Sequence, residues 1–475
     1  MQEIGQELKQ TSKLKKPWIL TAWSVLLLLV GFIFYSQAQP APQPQSESLK
    51  DPAGLLIMQL QTQYLLGVSA LTGDQGALVA QAQILDTGTV DQRQRFMALM
   101  ISIGEVESAK QSSLKLQDAL KVTGLKLDEA QEETQKLLNL LIAGEDLPIN
   151  SNLEEQLGWF GALLLATPTE LEEIADRESS KVLVIASTVL FLLCFGLIGF
   201  VILVYSVIRT FPSRHSMGPS MLRHGFYAEV FSLWLITFLI LMSVVYLISK
   251  SDIVESYPLL GTGLTLSAFF GSLSVLLWAR FRGITWQQIR EDIGWHCGKG
   301  FWKELAWGVV GYGMTLPILC CGLLITIVLM SIQNMMLGGP DDNLLHGTGG
   351  GSHPIIVEIA NGGWALRIGL ICLAAIAAPV VEETMFRGVL YRQLRSSMQG
   401  TFNESFISVC LSMSLVSFIF AAIHPQGWVA IPVLMSIAIG MNLLREQRGS
   451  IIAPMVIHGI NNGLVTALMI YFVSQ

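Results

Sequence analysis

The chain has 475 residues, 52% of them hydrophobic and 14% charged, and its mean hydropathy is +0.53. Such a composition excludes an ordinary soluble globule and a disordered chain. It fits an all-α polytopic membrane protein carrying one sizeable soluble insertion. The net charge of −7 is little guide, because acids and bases are segregated along the chain, and no nucleic-acid partner is implied. All six cysteines (Cys194, Cys297, Cys320, Cys321, Cys372, Cys410) fall in apolar spans or in a loop expected to be cytoplasmic. Neither a disulfide framework nor a CxxC metal knuckle is therefore expected, and Cys320-Cys321 reads as small apolar filler.

Residues 1–38 form a basic segment (Lys9, Lys13, Lys15, Lys16) leading into an apolar run from Trp18 to Tyr35. The following Ser36-Gln37-Ala38 resembles a signal-peptidase site, so a removed leader and a retained anchor both stay open. Either way, residues 39–180 emerge on the far side of the membrane. They begin with a tether containing Pro40, Pro42 and Pro44 and then turn helical, with Leu114, Leu116, Leu120, Leu127, Leu137, Leu138 and Leu141 near a helical period. Acids exceed bases about two to one there, and clusters such as Glu129, Glu132, Glu133 and Glu170, Glu172, Glu173 read as solvated faces of a small bundle. This acidic domain is expected to sense or present an extracytoplasmic protein partner.

Residues 181–300 supply additional transmembrane helices, and 301–475 form the last domain. Candidate spans run about Val182–Ile208, Phe226–Ile248, Tyr257–Trp278, Leu305–Ile332, Trp364–Tyr391, Phe406–Ile423, Trp428–Leu444 and Ile451–Val473, making nine with the first. Placement of the basic residues sets the orientation. Arg209, Arg214 and Arg223, then Arg280, Arg282, Arg290, Lys299 and Lys303, then Arg392 and Arg395, then Arg445 and Arg448 fall in loops expected to be cytoplasmic. The N-terminus is then inside and residues 39–180 and the C-terminus outside, with a bacterial cytoplasmic membrane as the expected location. The outer loop Asn334–Gly363 holds His346-Gly-Thr-Gly-Gly-Gly-Ser-His353, which lacks the Gly-Lys-Ser/Thr of a phosphate loop and reads as a linker. His215, His224 and His296 likewise sit in loops.

The apolar run Ile368–Val381 leads into Glu382-Glu383-Thr384-Met385-Phe386-Arg387. Ionisable groups at that depth are costly and point to function. Glu383 and Arg387 are i, i+4 and can pair, whereas Glu382 points about 100° away and is left for proton chemistry. Pro379 frees a carbonyl and is expected to kink the helix just before the glutamates. Ala374, Ala375, Ala377 and Ala378 leave room for a neighbouring helix. His424 closes the run Val416–Ile423 and precedes Pro425; His458 lies in the last span with Asn462 one turn later. A lone membrane histidine or asparagine is commonly a helix-to-helix hydrogen-bond partner. Three spans each offering such groups form instead the inventory for activating a water and stabilising an oxyanion.

Glu382-Glu383-x-x-x-Arg387, Phe420-x-x-x-His424 and His458-x-x-x-Asn462 resemble the three ordered motifs of the CPBP family of intramembrane proteases. That family includes the type II CAAX prenyl endopeptidases and the bacterial Abi proteins associated with bacteriocin immunity. The likeness covers roughly Phe301 to Val473. It implies an endopeptidase acting on a membrane-associated peptide or protein, with Glu382 as general base assisted by His424, His458 and Asn462 holding the oxyanion, and Glu383 with Arg387 as a structural pair. The family has been described both as metal-dependent and as metal-free, so a divalent metal such as zinc on Glu382, His424 and His458 stays open. A non-catalytic immunity or scaffold protein binding a toxin or membrane partner is the alternative, and a proton-coupled transporter a third. At 1.5 Å per residue, Glu382 and His458 fall toward the inner half of the membrane and His424 near the outer end of its span. A tilted helix, a turn dipping inward or a misdrawn span would each reconcile them.

Overall fold

The computed structural model describes residues 18–38, 52–148, 151–210, 225–251, 253–254, 257–336, 359, 362–402 and 406–473. The basic residues Lys9–Lys16, the proline tether, Arg214, His215, Arg223, His224 and the glycine run between His346 and His353 lie outside them. Among the described residues all regular structure is helical. In chain order the helices are α1 (Ile19–Ala38), α2 (Pro52–Thr72), α3 (Gln75–Ala82), α4 (Val90–Ser102), α5 (Val106–Thr123), α6 (Glu129–Ile142), α7 (Leu153–Leu157), α8 (Trp159–Leu165) and α9 (Pro168–Thr210). There follow α10 (Phe226–Ser249), α11 (Pro258–Ser272), α12 (Leu276–Phe281), α13 (Trp286–Ile293) and α14 (Phe301–Met336). The helical run that carries the glutamates comprises α15 (Trp364–Cys372), a π-helical turn (Leu373–Ala377), α16 (Ala378–Glu383), a second π-helical stretch (Thr384–Leu390) and α17 (Tyr391–Phe402). Last come α18 (Phe406–Ala422), α19 (Ile431–Arg448) and α20 (Ile452–Val473).

The chain divides into two compact units. One gathers the described residues of 40–190 with 330–336, 359 and 471–473. Its helices start where the sequence supplies reciprocal caps, Thr89 with Gln92 on α4 and Asp128 with Gln131 on α6. Phe96, Met97, Leu99, Leu116, Leu137, Leu138 and Phe160 make its core. Leu114, two residues from Leu116 and so on the opposite face of α5, is 54% exposed. Glu129, Glu132, Glu133, Glu170, Glu172 and Glu173 are all exposed. Helix α9 runs unbroken for 43 residues, so the boundary drawn at 180 falls inside a helix.

The other unit contains α1 and the described residues of 191–329 and 362–470. Eight helices of the described chain are long and apolar enough to cross a membrane, and the protein is an integral multi-pass membrane protein. The ninth expected span, α18, is apolar but only 17 residues long.

Arg392, Arg395, Arg445 and Arg448, expected in loops, are instead helical; Arg392, Arg395 and Arg448 are drawn into ion pairs and Arg445 is held by backbone carbonyls. Arg395 meets Glu446 with two bonds, Nη2 to Oε1 at 2.8 Å and Nε to Oε2 at 3.1 Å, and its Nη1 donates to Ser408 at 2.7 Å. The Tyr391 hydroxyl also donates to Glu446, at 2.8 Å. Arg392 lies 3.4 Å from Asp292, which accepts from the Tyr227 hydroxyl at 2.7 Å. Arg448 pairs with Glu304 at 2.6 Å, and Arg445 donates to the carbonyls of Arg387, Asp292 and Gly449. The loop after α13 joins this layer, because Ile451 donates to the Gly294 carbonyl and Ser450 to that of His296. Burial, with Arg445 nearby, holds the His296 imidazole below the ordinary histidine value. An acid beside Arg392, Arg395 and Arg448, and three carbonyls around Arg445, are what let the charges leave water.

The Arg395–Glu446 pair, at most 4% exposed, yields a direct prediction. Arg395→Met alone strands a buried carboxylate and should cost about 3–5 kcal/mol. Arg395→Met with Glu446→Leu should recover most of that loss, as measured by thermal unfolding in detergent.

Candidate active site

Helices α17 and α18 run antiparallel, and cross-contacts fix their register. Arg395 reaches Ser408, and Phe386 stacks edge-on against Phe420 with ring centroids 5.0 Å apart. Asn442 of α19 donates to the Met413 carbonyl and to Ser417 on α18. The first turn of α18 therefore lies level with the arginine layer, and His424, 16 residues beyond Ser408, comes level with Glu382. The helix keeps nearly the bounds expected of the span, Phe406–Ala422, and it is its level beside α17 that brings His424 to Glu382. The depth conflict disappears once α17 is followed to Phe402.

Glu382, His424 and His458 come together. Glu382 Oε2 is 3.9 Å from His424 Nε2 and 3.9 Å from His458 Nε2. That oxygen is buried and makes no hydrogen bond within the protein. The carboxylate is 17% exposed and His424 20%, against 5% for His458. Each imidazole is held by its other nitrogen. His424 Nδ1 bonds the Phe420 carbonyl at 2.5 Å, and His458 Nδ1 bonds Glu383 Oε1 at 2.8 Å. Both partners are acceptors, so both Nδ1 atoms carry hydrogen and both Nε2 atoms face Glu382.

Glu383 and Arg387 pair at 2.9 Å, with neither side chain exposed at all. The guanidinium also donates to the Ala438 carbonyl at 3.4 Å and lies 4.6 Å from the centre of the Phe420 ring. Phe420 thus packs against Arg387, His424 and His458 at once. Glu383 has a second duty that helical spacing could not reveal, since its His458 partner lies 75 residues on.

Asn462 Nδ2 donates to the Ala374 carbonyl at 3.2 Å, and its Oδ1 accepts from Asn461 at 3.3 Å. The Ala374 carbonyl needs this donor for a local reason. In the first π turn the Ala378 amide bonds back to Leu373, and the next amide in that register would come from Pro379, which has none. The expected kink at Pro379 is thus realised as a π turn just before it. Helix α20 can come this close because of Gly459, where a Cβ would stand 2.6 Å from the Ala375 carbonyl oxygen.

The second π stretch is clasped from outside the motifs. The Trp295 indole donates to Thr384 Oγ1 at 2.9 Å, and the Thr384 hydroxyl donates to the Val380 carbonyl at 2.7 Å. Gly388 meets Ile293, which a Cβ would approach to 3.0 Å. Sequence reasoning missed Trp295, Thr384, Asp292, Glu304 and Glu446. The three acids could have been found by matching each to an arginine at a span end; Trp295 left no such signal.

Two imidazole nitrogens and a carboxylate are chemically suited to zinc. A tetrahedral zinc at about 2.0–2.1 Å from its ligands sets those atoms about 3.3 Å apart, less than the 3.9 Å found here. Among the described residues no group of three or more His, Cys, Asp or Glu is placed to hold a metal ion. A water about 2.8 Å from both ends bridges such a gap readily.

Residues 364–464 match the family model described as Type II CAAX prenyl endopeptidase Rce1-like. No curated protein and no solved structure matches the chain.

Coupling across the clasp is open to measurement. Trp295→Phe should cost about 1–3 kcal/mol by taking the donor from the buried Thr384 hydroxyl, and Thr384→Val less on the indole side, because Trp295 is 40% exposed. In the double variant the losses should fall well short of additive, as read by thermal unfolding in detergent.

Proposed function

Because residues 364–464 carry a protease domain of the CPBP family, we propose that the protein is an intramembrane endopeptidase that hydrolyses a peptide bond of a membrane-associated substrate by Glu382-activated water. The observation carrying this reading is the placement of Glu382 Oε2 3.9 Å from the Nε2 atoms of both His424 and His458. A water between Glu382 and His424 gives up a proton to the carboxylate as its oxygen attacks the scissile carbonyl. His458, oriented by Glu383, and the second amide hydrogen of Asn462, the one not spent on Ala374, stabilise the oxyanion. Glu382 then returns its proton to the leaving amine, so that one water and one peptide bond become a carboxylic acid and an amine. Phe420 and Glu383 are positioning residues in this scheme, because they set which nitrogen each histidine presents.

The same reading places the arginine-rich end of the membrane unit in the cytoplasm and residues 39–180 outside, where their exposed acids are available to an extracytoplasmic partner. The scheme routes no step through a metal.

Glu382→Gln keeps size and removes the base, which should slow cleavage by about 10²–10⁴-fold. Comparing membrane proteomes of wild type and variant should show at least one membrane protein accumulating uncut in the variant; identical proteomes would contradict the assignment. Cleavage of that protein by purified enzyme should persist in excess EDTA or phenanthroline. Loss on chelation with recovery on adding zinc would overturn the metal-free scheme.

A further inference from the structure

The turn that carries His424 breaks the helical backbone at the level of Glu382. Non-helical backbone at membrane depth is tolerated only where protein covers it or it lines a wet cavity. Helix α1, outside the matched family segment, is placed to supply cover. It packs along α10, against α18, and against the short 3₁₀ turn Trp428–Ala430 just beyond His424.

Its attachment is specific. The Trp18 amide donates to Glu229 Oε1 at 2.5 Å, and the same carboxylate accepts from the Trp278 indole at 2.8 Å and from Arg282 at 3.0 Å. One turn on, Ser232 Oγ donates to the Ala22 carbonyl at 2.8 Å. Ala22 and Leu26 are buried, Leu26 to 1% exposure, while Leu20, Leu27, Leu28 and Phe32 face outward. Trp23, Leu29, Val30 and Ile33 pack onto the core that contains Phe386 and Phe420. A buried carboxylate gathering three donors at a helix start is an investment a discarded leader does not need, since removing the leader would strip Glu229 of one partner and uncover that core.

We propose that α1 is a retained wall of the membrane unit that closes the lipid-facing side of the turn bearing His424, so that water held at Glu382 is kept from the acyl chains. The retention and packing stand on geometry alone; the purpose assigned to the wall rests on the protease reading.

The test needs no substrate. Intact-mass measurement on protein purified from membranes should show α1 present; a chain beginning after Ala38 would overturn the proposal. With a site-specific protease sequence inserted between Ala38 and Pro52, the cut α1 fragment should co-purify with the remainder. It should do so equally in Leu27→Gln, on the outward face, and be lost in Leu26→Gln, on the buried face. In a background with the six native cysteines changed to alanine, Pro425→Cys should react with a water-soluble maleimide several-fold faster when Leu26→Gln is added, with no change for Leu27→Gln. Loss of the fragment from the otherwise unaltered cut chain, or equal labelling in both variants, would contradict the wall. Because none of these readouts is cleavage, a failed protease assignment would leave them standing.

Discussion

One buried carboxylate oxygen organises the site. Glu383 Oε1 receives Arg387 at 2.9 Å and His458 at 2.8 Å, so a single ionised group neutralises a buried guanidinium and fixes an imidazole. Breaking such a pair by removing one partner costs several kcal/mol, because the stranded charge has no water to return to. The neighbouring Glu382, one residue earlier and rotated around the helix, is excluded from this arrangement and faces the two Nε2 atoms. Two adjacent acids thus meet different surroundings, Glu383 held by Arg387 and His458 and Glu382 Oε2 left without a hydrogen bond within the protein.

Departures from regular helix do the aiming. The π turn before Pro379 and the π stretch after Glu383 widen the helix on both sides of the glutamates. Each irregularity exposes a backbone or side-chain group that a distant element satisfies. Asn462 meets the Ala374 carbonyl, and Trp295 meets Thr384. The site is therefore braced by α20 on one side and by the loop after α13 on the other. The arginine layer ties α13, α14, α17 and α19 to the same end of the membrane unit.

How much of this was legible in the sequence differs from residue to residue. Apolar length located the helices, and i, i+4 spacing located the Glu383–Arg387 pair, because both are local properties. The level of His424 was left open because hydropathy marks where an apolar run starts, not which residue of a partner helix it stands beside; α18 begins level with Arg395. The arginines at span ends were counted as loop charges for a similar reason. Their acids, Asp292, Glu304 and Glu446, lie up to 144 residues away, with separations of 51 for Arg395–Glu446, 100 for Arg392–Asp292 and 144 for Arg448–Glu304, and no local pattern connects them. Glu383 with His458 and Trp295 with Thr384 escaped notice on the same ground: side chains that meet only through folding leave no periodic trace.

The account depends most on which nitrogens of two histidines face Glu382. Solid-state NMR of the ¹⁵N-histidine-labelled protein in lipid, with His424 and His458 assigned by single substitution, reads this from the nitrogen shifts. At neutral pH both Nδ1 atoms should carry hydrogen, and Glu383→Gln should disturb the His458 signals while leaving those of His424 in place. A bare Nδ1 on either imidazole would mean that Phe420 and Glu383 do not orient the rings, and the constellation around Glu382 would have to be drawn anew.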